Sequence, residues 1–290
     1  MLKPSTFSIV ACDLDEPAWG VAVASKFPAV GAVVPWARAD AGAVATQAFA
    51  DTSFGPHGLE LMASGLSAEA TLAELLKDDN EREQRQVGLV DANGLAATFT
   101  GYECFEWAGG LTGSGYAIQG NILASEQVVR AMQRAFVEAK GKLPSRLYAA
   151  LLAGDRAGGD RRGRQSAAIY VAKPYSGYGG TIDRWIDYRV DDHEDPVPRL
   201  GELLELHELY FGESEEKDRV SLKGEPLKQL QGILIRLDYL EGKADGTYDE
   251  LTKSALRAFT GNENFEERCN LEAGWIDRPV LDYLLKKFGN

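Results

Sequence analysis

The sequence predicts an α+β chain, a mainly antiparallel pair of sheets between helical layers, followed by a small helical module. Two observations lead there. Apolar segments come as grouped strands, then two helices, then strands and a helix, without strict strand–helix alternation. Many strand residues are Ala, Val and Gly, which suits sheets covered closely on both faces. A third observation marks the module: after a charged stretch, Gly212-Glu-Ser-Glu-Glu-Lys-Asp-Arg219, the pattern becomes purely helical.

Taken in order, Thr6–Cys12 and Trp19–Lys26 read as strands joined by a turn at 13–17, and Gly42–Ala48 as a third. Ser67 caps a helix carrying Leu72, Leu75 and Leu76 on one face. Asn93-Gly94 between Arg85–Asp91 and Leu95–Gly101 is a hairpin signal. Gly115–Leu123 follows as a strand. Val128, Val129, Met132 and Phe136 give an amphipathic helix over about 124–140. Pro144 opens the next helix and Gly154 ends it. Ser166–Ala172 and Ile182–Val190 are strands, and Asp195-Pro196 begins a helix to about Phe211. The expected division is 1–211 as the first domain, 212–221 as a linker, and 222–290 as a three-helix module.

Composition narrows the function. The 290 residues hold 44 acidic and 31 basic side chains, a net charge of −13, which argues against nucleic acid and anionic lipid as partners. No apolar run reaches the length of a membrane-spanning helix. Met1–Thr6 shows no apolar leader segment, so a cytoplasmic protein is expected. Cys12, Cys104 and Cys269 are too few and too scattered for a disulfide framework or a cysteine zinc site. The acidic run Asp191–Asp195 reads as a helix start rather than a metal site. Neither a metal nor a cofactor is expected.

Thr6 opens the first strand. A β-branched residue there is ordinary, but a Thr with a free α-amine can use that amine as its own base near neutral pH. Lys26 ends the second strand, next to Ser25, where an ammonium would favour the ionised hydroxyl if the hairpin brings it near. Gly109–Gly115, with Gly113-Ser114-Gly115 at its end, reads as a loop whose backbone N–H groups can cradle an anion. Residues 158–166, GGDRRGRQS, put Asp160 and the arginines 161, 162 and 164 just before a strand beginning at Ser166. Asp160 can orient an amine or hydroxyl, and Arg161 and Arg164 can hold a carboxylate. A solvated turn explains the same residues.

Seven strings agree in order with one family: TFSIVA at 6–11, GVAVASKF at 20–27, VPWARA at 34–39, GAVATQA at 42–48, YAIQGN at 116–121, AGGDRRGRQSAA at 157–168 and RVDDH at 189–193. Over about 6–211 the chain resembles the bacterial family catalogued as domain of unknown function 1028, regarded as a member of the N-terminal-nucleophile (Ntn) hydrolase superfamily. The resemblance implies a four-layer α/β/β/α sandwich and an amide or peptide substrate. It implies Thr6 as nucleophile with Lys26, Ser114, Asp160 and Ser166 around it. Ser25, Gly113, Gly115, Asn121, Arg161 and Arg164 would then contact substrate or oxyanion. Five residues precede Thr6, so loss of Met1 alone does not free its amine. The competing class is a ligand-binding or scaffolding protein that keeps the fold. The tail strings PLKQLQGIL at 226–234, DGTYDELT at 245–252 and ALRAF at 255–259 resemble the peptidoglycan-binding three-helix domain, implying a cell-wall glycan or peptide partner. A homo-oligomer is expected.

Overall fold

The computed structural model describes residues 6–213 and 215–289. Met1–Ser5, whose removal would free Thr6, lie outside the described residues. The chain divides into two compact units, 1–203 and 204–290. It is a mixed α+β protein with antiparallel sheets and eight α-helices among the described residues.

The first unit runs β1 Thr6–Asp13, β2 Ala18–Ser25, β3 Pro35–Arg38, β4 Gly42–Ala48, α1 Phe54–Ala63, α2 Ala68–Lys77, β5 Arg85–Asp91, β6 Ala96–Thr100, β7 Gly109–Gly113, β8 Tyr116–Asn121, α3 Gln127–Glu138, α4 Leu143–Arg156, β9 Ser166–Ala172 and β10 Arg184–Val190. The helix α5, Pro196–Phe211, spans the division between the units. The larger sheet has the order β10-β9-β2-β1-β8-β7 and the smaller β3-β4-β5-β6, every pairing antiparallel.

Period-2 alternation places β1 between two cores. Val10, with Trp19, Val21 and Val23, packs on Ala43, Ala45 and Val90 of the smaller sheet. The intervening Phe7 and Ile9 point the other way, toward α3 and α4, where Met132, Leu147 and Leu151 are fully buried. A second helical pair, α1 and α2, covers the far side of the smaller sheet through Phe54, Leu59, Met62, Leu72 and Leu75. Small residues permit this close layering. A Cβ on Gly154 of α4 would sit 2.7 Å from Met132 Cγ, so Gly154 is a helix–helix contact and α4 continues past it to Arg156.

Between the sheets lies a fully buried polar network. Ser8 donates to Gln47 Oε1 at 2.6 Å, and Gln119 Nε2 donates to Ser8 at 2.7 Å. Gly88 makes room for it: a Cβ there would lie 2.1 Å from Gln119 Oε1. Gly88→Ala should therefore destabilise by about 1–3 kcal/mol, read as a lower urea midpoint. An unchanged midpoint would mean that Gln119 moves aside freely.

Three segments differ from the sequence expectation. The glycine- and proline-bearing α1, FGPHGLELMA, shows little helical periodicity and was not expected. Pro35–Arg38 forms an edge strand too short to show alternation. Gly109–Gly113, expected as a loop, is the edge strand β7, because its backbone pairs with Tyr116–Gly120.

In the second unit, α6 Gly224–Arg236, α7 Glu250–Asn262 and α8 Arg278–Phe288 bury Leu230, Leu234, Leu256, Phe259, Leu281 and Leu284 in one core. The unit also has a small sheet of β11 Arg219–Ser221, β12 Cys269–Asn270 and β13 Trp275–Asp277, in the order β11-β13-β12. Strands of two or three residues leave no period in a sequence. Residues 219–221, at the end of the expected linker, are thus paired in this sheet. Gln231 holds the Asp245-Gly246 turn, accepting from Gly246 N at 2.7 Å and donating to Thr247 O at 3.1 Å. No helix among the described residues is long and apolar enough to cross a membrane.

Candidate functional site

Antiparallel pairing brings four polar residues into one row at one end of the larger sheet. Thr6 stands opposite Asn121 on one side and Ser25 on the other, and Ser25 stands opposite Ser166. The row uses the first residues of β1 and β9 and the last of β2 and β8, which antiparallel strands put at the same end. Directly opposite residues share a face. Ser8, two residues along from Thr6, reaches Gln47 of the smaller sheet, so that face is the one between the sheets. All four are buried, Thr6 completely. Thr6 Oγ1 donates to Ser25 Oγ at 3.3 Å.

Ser166 uses its hydroxyl on the chain leaving β2. It donates to Phe27 O at 2.5 Å and accepts from Val30 N at 3.1 Å. Asn121 donates from Nδ2 to Gln86 Oε1 at 2.9 Å.

Beside the row, the loop after α4 returns through Asp160, which bridges to Leu123. Gly158 and Gly163, at φ 112° and 114°, take left-handed conformations that side chains disfavour, and so let the loop turn back twice. The Asp160 carboxylate accepts from Lys26 N at 2.7 Å and from Arg162 N at 2.8 Å, Nε at 3.2 Å and Nη2 at 3.0 Å. Arg162 Nη2 also donates to Lys26 O at 3.1 Å. Asp160 and Arg162 together clamp the backbone at the end of β2, one residue beyond Ser25.

This geometry corrects several expectations. Lys26 is exposed, and its ammonium donates to Arg164 O at 3.2 Å; its backbone N–H, not its charge, serves the clamp. β2 ends at Ser25, so Lys26 already lies on the chain leaving the strand. Gly113, Ser114 and Gly115 lie at the wrong end of the sheet. Tyr116 pairs with Ala11 while Asn121 pairs with Thr6, so about 17 Å of strand separates this turn from Thr6. There, Gly115 O accepts from Cys12 N at 2.9 Å. Arg164 is bound to two carboxylates, Asp155 at 2.7 Å and Asp195 at 3.1 Å; the Asp155 hydrogen bond raises its pKa and leads its charge away from a substrate carboxylate. Arg161 is exposed and joins through its backbone N–H to Ile122 O at 3.0 Å.

Sequence reasoning singled out Arg161 and Arg164 and missed the role of Arg162. The Asp-x-Arg spacing at 160–162 was the available signal. It also missed the interior amides Gln47 and Gln86, which as polar residues in short strands carry no local mark.

A cavity of about 390 Å³ adjoins the row, lined among others by Ser25, Asp160, Arg164 and Ser166, with Phe7 and Asp155 from the helical side. Thr6, fully buried, is not among its lining residues. Cys12 offers no rival nucleophile: burial, with Asp13 and Asp91 nearby, pushes its thiol up to about 11, leaving almost no thiolate at neutral pH.

Residues 6–200 match the family model described as "Family of unknown function (DUF1028)", and residues 210–284 match the one described as "Putative peptidoglycan binding domain". Among solved structures, the chain is similar to the crystal structure of a protein from Silicibacter pomeroyi described by the DUF1028 family. The identity is 32% over 70% of this chain and 89% of that one, with a TM-score of 0.64. No match was found among the curated proteins. With the family's model covering most of its length, the chain belongs to the DUF1028 family.

Proposed function

We propose that the first unit is an N-terminal-nucleophile amide hydrolase whose nucleophile is Thr6, released when the residues ahead of it are removed. The observation that carries this reading is the position of Thr6. It is the first residue of a central strand, with its hydroxyl between two sheets and aligned with Ser25, Ser166 and Asn121. The helical pairs outside both sheets support membership of the Ntn superfamily.

In this reading Thr6 Oγ attacks the carbonyl carbon of an amide while the α-amine takes the hydroxyl proton. The carbonyl oxygen becomes an oxyanion, for which we assign the Asn121 side chain as a donor. Collapse expels the amine, which leaves with the proton held by the α-amine. Water, deprotonated by that same amine, attacks the Thr6 ester, frees the acid and restores the hydroxyl. Asp160 and Arg162 act indirectly, holding the strand end that carries Ser25. The second unit would bring the hydrolase to cell-wall glycan or peptide.

A second reading has its own observation. With Met1–Ser5 attached, Thr6 carries a peptide N–H in place of an amine, and its hydroxyl is completely buried. A chain never cut would be a binding or scaffolding protein of the same fold. Mass spectrometry of protein from its native host decides between them. A chain beginning at Thr6 is the expected result; a population that keeps Met1–Ser5 throughout would overturn the hydrolase reading.

A further inference from the structure

We infer that Gln47 is a positioning residue for Thr6, holding it from across the sheet interface; the catalytic meaning of this hold rests on the hydrolase reading above. Gln47 belongs to β4 of the smaller sheet, yet its Nε2 donates to Thr6 O at 3.3 Å. Its second N–H goes to Gln86 Oε1 at 2.8 Å, and its Oε1 accepts from Ser8 at 2.6 Å. Gln86 stands opposite Gln47 in the β4–β5 pair. Its Oε1 also accepts from Asn121 Nδ2 at 2.9 Å, and its Nε2 donates to Gly120 O at 2.8 Å. Ser8, Gln47, Gln86 and Gln119 have no exposed surface, and Asn121 has 1%.

The amide of Gln47 thus has both donors and its oxygen engaged, which leaves it one orientation. An apolar side chain would fill a buried interface at lower desolvation cost. What the amide adds is a fixed point for the first residue of β1. A terminal residue frays unless tied down. In a chain beginning at Thr6, both reacting groups, hydroxyl and amine, belong to that residue. Fixing its carbonyl restricts the backbone from which both project.

The test compares Gln47→Glu with Gln119→Glu. Each places one carboxyl group of unchanged shape in the same buried network, so each loads the fold in a similar way. Only the first weakens the donor to Thr6 O: a carboxylate there donates nothing, and a protonated carboxyl group has one hydrogen for Thr6 O and Gln86 Oε1 where the amide has two. The readout independent of activity is the set of three-bond couplings of the Thr6 methyl carbon in the full chain, which report its χ1. We expect a single rotamer in the wild type and in Gln119→Glu, and averaged couplings in Gln47→Glu. In the chain that begins at Thr6, kcat for a hydrolysed amide should fall roughly 100-fold in Gln47→Glu with KM little changed. Wild-type couplings in Gln47→Glu would overturn the inference. So would equal averaging in both variants, because the network would then be structural only. Should Gln47→Glu not fold, Gln47→Met is read by the same couplings. An inert wild type that begins at Thr6 counts against the hydrolase reading alone, while the contrast in couplings still decides whether Gln47 holds Thr6.

Discussion

Thr6→Ala, in a chain that begins at residue 6, is expected to lower amide hydrolysis by roughly 1000-fold or more, to the level set by the remaining machinery. Alanine keeps the α-amine but deletes the attacking oxygen. Thr6→Ser keeps both and loses only the methyl group that restricts χ1, so it should retain a measurable part of the rate. Neither change removes a large apolar side chain, and both variants should fold. The measurement is release of amine from a panel of short peptides and acyl amides. If Thr6→Ala matches an active wild type, the hydroxyl of residue 6 is not the nucleophile. Lys26 gives a useful contrast. Its ammonium is exposed and bound to Arg164 O, so Lys26→Ala should leave the rate within about threefold of wild type, far above the loss expected for removing a reacting group.

Asp160→Ala should destabilise the first unit by about 3 kcal/mol. The Asp160 side chain is 2% exposed and accepts four hydrogen bonds, three of them from Arg162. Removing it strands a guanidinium and leaves the Lys26 N–H without its acceptor. Losing one partner of a buried ion pair costs about 3–5 kcal/mol, and Arg162, 31% exposed, recovers some hydration, which sets the lower figure. For a unit of this size the thermal midpoint should fall by about 6–12 °C. A fall below about 2 °C would show that the clamp contributes little and that β2 ends stably without it.

The sequence by itself determined most of the local elements. The apolar strand Thr6–Cys12, the Asn93-Gly94 turn and the 3.6-residue periodicity of Val128, Val129, Met132 and Phe136 are physical effects complete within a dozen residues. The structure has β1 at Thr6–Asp13, turns the chain between β5 and β6, and buries those four side chains on α3. The strand-end positions of Thr6, Ser25 and Ser166 were also legible, because each stands at or next to the end of a readable strand. Only the tertiary structure decided which ends meet. Antiparallel pairing of β1 with β8 sends Asn121 to Thr6 and the Gly113-Ser114-Gly115 turn to the opposite end. No property of that turn alone could show this, since register is a relation between two strands. The same holds for charge and amides. Arg161, Arg162 and Arg164 are chemically equal in sequence, and the returning loop alone selects Arg162 to grip Asp160. Gln47 and Gln86 look like misplaced polar residues in short strands. They gain a purpose only when the second sheet closes over Thr6, because a buried amide is satisfied by partners that the chain supplies from as far as 41 residues away.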